Sequence, residues 1–155
     1  LARKRTRAGS GSSIDWRFLF LDVKGRIDRE TFWIGTILLL GAGIPLQFLA
    51  NAAAGKTAGF LVGLALLHPA YCVQVKRAHD RDRPGWLIGL YFALILAILL
   101  LQLMGLASID RQPRGPFAVL AVIFLLSAIA LTIDLGFFPG TRGRNAYGPD
   151  PLGQR

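Results

Sequence analysis

Arg77, His79 and Asp80 fall within four residues of one another, and these are residue types that move protons or bind anions. A carboxylate beside an imidazole can orient it and raise its pKa, and a guanidinium pairs with carboxylate or phosphate. If a helix continues past Val75, Arg77 and Asp80 become i, i+3 neighbours that can pair. His68 and Cys72 form a second constellation at i, i+4, a spacing open to a metal. Two ligands do not make a site and Pro69 disturbs their geometry, so a buried, hydrogen-bonded His68 is expected, with no metal and no cofactor.

The segment carrying the first group, Lys76 to Arg83, holds seven ionisable residues in eight positions. Uncharged chain lies on both sides of it. Residues 32–54, 57–75, 86–109 and 116–133 contain no Asp, Glu, Lys or Arg, in runs of 23, 19, 24 and 18 residues. At about 1.5 Å per residue, even the shortest makes a helix of about 27 Å, close to the ~30 Å of a bilayer's hydrocarbon layer. With 53% hydrophobic residues, 17% charged residues and a positive mean hydropathy, these runs read as transmembrane helices. The expected fold is an all-α membrane protein: four transmembrane helices in two hairpins, preceded by a short interfacial helix. Residues 1–13 form a flexible basic tail and 14–153 a single membrane domain.

The net charge of +9 raises the question of nucleic acid, but the distribution of charge answers it differently. Tail, second connection and C-terminal segment together carry fifteen basic residues, whereas the first and third connections carry three. Alternation of that kind is the positive-inside pattern of four spans with both termini in the cytoplasm. No nucleic-acid partner is expected. The one cysteine excludes an intramolecular disulfide. The first apolar run starts at residue 32 and is too long for a signal-peptide core, so no cleaved signal is expected.

Trp16, Leu19, Phe20 and Val23 fall on one helical face of a segment too short to span, which suits a helix lying among headgroups. Ser12 with Asp15 makes a candidate capping box, and Asp28 a candidate N-cap for the first span. Pro45 is expected to kink that span, with Gln47 and Asn51 forming a polar stripe beyond it. Gly59 and Gly63 permit close helix approach, and Gly89, Ala93 and Ala97 form a second small-residue seam. Residues 108–116 read as a polar loop. Asp134, near the inner end of the fourth span, calls for a basic neighbour. The Gly- and Pro-rich stretch after Phe138 predicts turns.

Three separated motifs carry a resemblance: Gly25-Arg26-Ile27-x-Arg29-x-x-Phe32-Trp33, then Arg77-x-His79-Asp80 with Gly85-Trp86, and Asn145-x-Tyr147-Gly148-x-Asp150-Pro151. In order and spacing they resemble the domain-of-unknown-function 805 family of small bacterial inner-membrane proteins, over about residues 16–153. The family usually has Arg-Arg-Leu-His-Asp where this chain has Lys76-Arg77-Ala78-His79-Asp80, and a small polar stretch where it has Arg81 to Pro84. Asp28 replaces a common serine, and both are N-cap types. The resemblance implies a fold and a bacterial inner-membrane location, and it imports no activity.

All three motifs fall on the side expected to be cytoplasmic. Arg26, Arg29, Arg77, His79, Asp80, Trp86, Asn145 and Tyr147 therefore form one candidate cluster, either a latch tying helix ends together or a binding site. A non-enzymatic scaffold or binding protein ranks first, the cluster meeting anionic lipid headgroups or a protein partner. That partner would be a second copy of the chain or another membrane protein. A small solute or ion transporter ranks second, because the spans offer few polar groups beyond Gln47, Asn51, His68 and Gln102. An enzyme using His79 and Asp80 ranks third, without a nucleophile elbow, paired carboxylates or a nucleotide loop to support it.

Overall fold

The computed structural model describes residues 14–105 and 116–153, whose regular elements are all helices, with no strand among them. The helices are α1 (Trp16–Leu21), α2 (Arg29–Asp80), α3 (Trp86–Leu103) and α4 (Pro116–Phe137). Three are long and apolar enough to cross a membrane: α2, α3 and the Ala118–Phe137 part of α4. The expected tail (1–13), the Ser12 cap and the polar loop lie wholly or largely outside the described residues.

Asp15 itself caps α1, its Oδ1 accepting from the Phe18 N–H at 3.0 Å. Asp28 caps α2 as expected, accepting from Thr31 N–H at 2.8 Å, with Glu30 in the positive first turn. Within the 52 residues of α2 the helical geometry fails at Gly55 alone, where φ is +79° and ψ −177°. That conformation is closed to L side chains, so the chain turns where a glycine allows it. The turn is therefore at Gly55, while Pro45 stays inside helical backbone.

About that point the two limbs of α2, 29–54 and 56–80, face each other in antiparallel register. A Cβ at Gly35 would meet Val73 at 3.2 Å, one at Gly43 would meet Leu66 at 2.9 Å, and one at Gly63 would meet Gln47 at 2.8 Å. Gly59 is closed in the same way by Asn51, and its carbonyl accepts from Gln47 Nε2 at 3.4 Å. The polar stripe and the Gly59/Gly63 pair thus face each other, joined by the Gln47–Gly59 hydrogen bond. The second seam behaves differently. Ala93 and Ala97 are exposed, and α3 turns Ile88 and Phe92 inward instead, with Phe92 edge-on to Tyr71 at 5.3 Å. The packing of α3 is thus carried by Ile88 and Phe92 rather than by the small residues.

Burial is concentrated at one end of the molecule. Leu19, Ile27, Phe32, Val73, Val75, Ala78, Ile88 and Leu135 make a core where α1, both ends of α2, the start of α3 and the end of α4 converge. Away from that end the helices present Ile37, Leu40, Phe48, Leu90, Leu126 and Ile129 outward. A polar solvent would penalise so much exposed apolar surface, and a lipid one does not.

Candidate functional site

The last turn of α2 buries charge. Lys76 and Arg77 are 0% exposed, Asp80 is 3% and Arg26 is 6%. Each such ion costs several kcal/mol to desolvate unless it is paired and hydrogen-bonded. Arg26, Arg77 and Asp80 are both, and Lys76 is hydrogen-bonded to backbone carbonyls. Helix α2 continues past Val75 to Asp80, so Arg77 reaches the Asp80 carboxylate by i, i+3 contact, from Nη1 to Oδ2. Asp80 Oδ1 accepts from Arg26 Nε at 3.0 Å and Nη2 at 2.8 Å.

Arg26 is delivered by Gly25, whose φ of +99° turns the chain inward after α1. Its remaining N–H groups go to the C-terminal turn: Nη1 to the carbonyls of Gly143 (2.7 Å) and Gly148 (3.3 Å), Nη2 to that of Thr141 (2.6 Å). A guanidinium has five N–H donors, and all five are spent inside the chain. Arg77 likewise gives Nε to Leu135 O at 2.7 Å and Nη2 to Phe138 O at 2.6 Å, tying the end of α4 to the end of α2.

The C-terminal segment caps α2. A helix leaves its last carbonyls without intrahelical donors. Asp80 O accepts from the Thr141 N–H (2.8 Å) and hydroxyl (2.9 Å), and His79 O accepts from Asn145 Nδ2 at 2.8 Å. Asn145 is held by its own turn, its Oδ1 accepting from Tyr147 N–H at 2.9 Å and its backbone bridging to Gly148. The predicted string of turns is therefore present and closes onto the helix end.

His79 and Asp80 do not form the pair that their adjacency suggests. The carboxylate oxygens face the two arginines, whereas His79 Nδ1 lies 3.2 Å from Gly25 O, a partner that can only accept. The ring stacks on Tyr147, centroids 3.9 Å apart and 5° from parallel. Burial pushes His79 below its ordinary pKa, opposed by the Gly25 carbonyl. Burial also pushes the Asp80 carboxyl up, against the pull of Arg26 and Arg77. The expected raising of the imidazole pKa by Asp80 is thus corrected: the carboxylate is already engaged.

Lys76 belongs to the basic second connection, yet it is structural. Its Nζ donates to the carbonyls of Phe18 and Leu19, the latter at 2.8 Å, and lies 4.4 Å over the Phe18 ring. Burial brings its pKa down to about 8. His68 Nε2 sits 3.3 Å from Leu21 O and 3.5 Å from Cys72 Sγ. His68, Cys72 and Lys76 (i, i+4, i+8) therefore form a stripe beneath α1, and its two ends supply donors to three of the last four α1 carbonyls. His68 is hydrogen-bonded as expected but exposed, because α1 ends beside it rather than over it. Among the described residues no group of three or more His, Cys, Asp or Glu is gathered for a metal.

Asp134 obtains the basic neighbours that its position demands. Arg81 Nη2 lies 3.0 Å and Arg83 Nη2 3.1 Å from its Oδ1, while Arg81 also reaches Pro139 O and the Phe138 ring. Of the eight candidate residues, Arg26, Arg77, His79, Asp80, Asn145 and Tyr147 come together. Arg29 is exposed at the edge, one N–H on Phe137 O at 3.2 Å, and Trp86 stands apart at the start of α3, 61% exposed. Sequence reasoning missed Lys76, Thr141 and Gly140, where a Cβ would overlap the Asp80 carboxylate. The i, i+4, i+8 spacing of His68, Cys72 and Lys76 was the one signal for the first; no local signal marks the other two.

Comparison with known proteins agrees with the motifs. The model of the family described as "Protein of unknown function (DUF805)" matches residues 20–149. The chain is 37% identical over 140 residues to "Uncharacterized protein YiiR" of Escherichia coli strain K12, covering 87% of each, and equally similar to the protein of that name in strain O157:H7. No solved structure matches.

Proposed function

As the chain belongs to the DUF805 family of proteins of unknown function, we propose that it is a non-enzymatic scaffold of the bacterial inner membrane. It crosses four times, as two hairpins with both termini in the cytoplasm, and α1 lies in the headgroup region. The polar cluster is first an intramolecular latch that fixes the cytoplasmic ends of the helices. The faces of the spans turned away from the core then meet lipid, a second copy or another membrane protein.

The observation carrying this reading is the spending of all five Arg26 donors on the chain's own acceptors. A guanidinium kept for a phosphate or carboxylate ligand leaves donors open to it. Headgroup contact accordingly falls to arginines outside the latch, Arg29 foremost. A binding role for the whole cluster would need the latch to open.

Reporter fusions after residues 55, 83, 110 and 150, alternating out, in, out, in, would support the topology; a fusion at 83 or 150 reporting outside would refute it. Alkaline carbonate extraction must leave the protein in the membrane pellet.

A further inference from the structure

Beside the latch, and separate from it, an open groove of about 420 Å³ runs between the start of α2 and the end of α4. Asp28, Arg29, Glu30, Trp33, Gly136 and Leu152 line it. Its size falls in the range of small-ligand sites, about 300–1,000 Å³. The wall is built: a Cβ at Gly136 would come within 2.6 Å of the Trp33 ring, whose Nε1 donates to Gly136 O at 3.1 Å. The indole is fixed with one edge tied, and Phe137 packs edge-on against it at 5.8 Å.

The charges around the groove do not cancel one another. Arg29 spends one of its N–H groups, on Phe137 O, and among the described residues neither Arg29 nor Glu30 takes part in an ion pair. A purely anionic ligand would meet Arg29 but also Asp28 and Glu30. A purely cationic ligand would meet the reverse. A ligand carrying both signs satisfies both sides. The accepting lone pairs of Glu30 favour a primary ammonium with N–H groups to give, and Arg29 suits a phosphate. A quaternary ammonium would want several aromatic faces, and the groove has one indole.

Position identifies the carrier of those groups. The groove opens where two apolar helices end, with Trp33 and the 63%-exposed Phe137 at the level where aromatic belts sit. We infer that the groove formed by Arg29, Glu30, Trp33 and Gly136 binds the headgroup of an aminophospholipid, phosphate on Arg29 and ammonium on Glu30. This rests on the membrane reading above and adds a selectivity which that reading does not contain.

The test is thermal unfolding of the detergent-purified protein with equal mole fractions of phosphatidylethanolamine, phosphatidylcholine or phosphatidylglycerol. Phosphatidylethanolamine should raise the midpoint by several degrees more than the other two. Arg29→Gln and Glu30→Gln, both at exposed side chains, should each remove that extra rise while lowering the lipid-free midpoint by no more than a few degrees, for the lost Arg29–Phe137 hydrogen bond and the lost Glu30 charge in the first turn. Equal rises from all three lipids, or an extra rise kept in both variants, overturns the site. Soluble phosphoethanolamine reproducing the full rise overturns the lipid assignment. Failure of the topology itself would appear in the reporter fusions, independently of lipid preference.

Discussion

Arg26 and Asp80 lie 54 residues apart and meet side-on, two N–H groups of one guanidinium on a single carboxylate oxygen at 2.8 and 3.0 Å. Both side chains are almost wholly buried, 1% and 4% exposed. Removing one member of a buried pair strands the other's charge, at about 3–5 kcal/mol. Asp80→Ala strands two guanidinium groups, Arg26 and Arg77, and should be the most damaging single change in the cluster. Arg26→Lys keeps the charge but brings three N–H groups where five were in use, and should cost about 1–3 kcal/mol. Unfolding of each variant in detergent measures both losses, and a wild-type midpoint for Asp80→Ala would sink the latch.

Gly140 tests the same closure from the other side. Its missing side chain is what lets the C-terminal turn settle on Asp80, since an added Cβ would overlap the carboxylate. Gly140→Ala should pry the segment away, at about 1–3 kcal/mol as for other overpacked sites. Limited proteolysis should then cut after Arg142 or Arg144 faster than in wild type. Unchanged cleavage kinetics would mean that the turn is not held there.

The long elements were legible in the sequence because hydrocarbon imposes a length and an absence of charge that no local detail can disguise. The Asp28 cap, the need of Asp134 for a cation and the conditional pairing of Arg77 with Asp80 followed from equally local physics. Partners separated by fifty residues or more did not. Nothing near Lys76 says that its amine faces carbonyls of α1, and nothing near His79 says that Arg26 has already claimed Asp80. The seam at Gly89, Ala93 and Ala97 shows the same limit: small residues permit a close crossing without choosing the face, and Ile88 and Phe92 chose it.

α1 has six residues, too few to be helical alone. It depends on burial of Leu19 and on the donors that Lys76 offers to Phe18 and Leu19. Cys72, 0% exposed, lies in the same stripe. Lys76→Met should release α1 and raise the labelling of Cys72 by a small membrane-permeant maleimide several-fold, with Leu19→Ala acting alike. Labelling at the wild-type rate in both variants would show that α1 is not held by these contacts.

His79 makes the latch sensitive to acid. Its imidazole sits below the ordinary value of about 6.5 because it is buried. The unfolded chain therefore takes up the proton first. By linkage the stability that His79 contributes is complete above about pH 6.5 and is lost as pH falls from there toward the folded-state value. Asp80 would not pair with the imidazolium, because it is already shared between Arg26 and Arg77. The unfolding midpoint of wild type should fall between pH 7 and pH 5. His79→Asn, whose amide can still donate to Gly25 O, should start lower at pH 7 and show a shallower decline. A decline of equal slope in both proteins would assign the acid sensitivity to other groups.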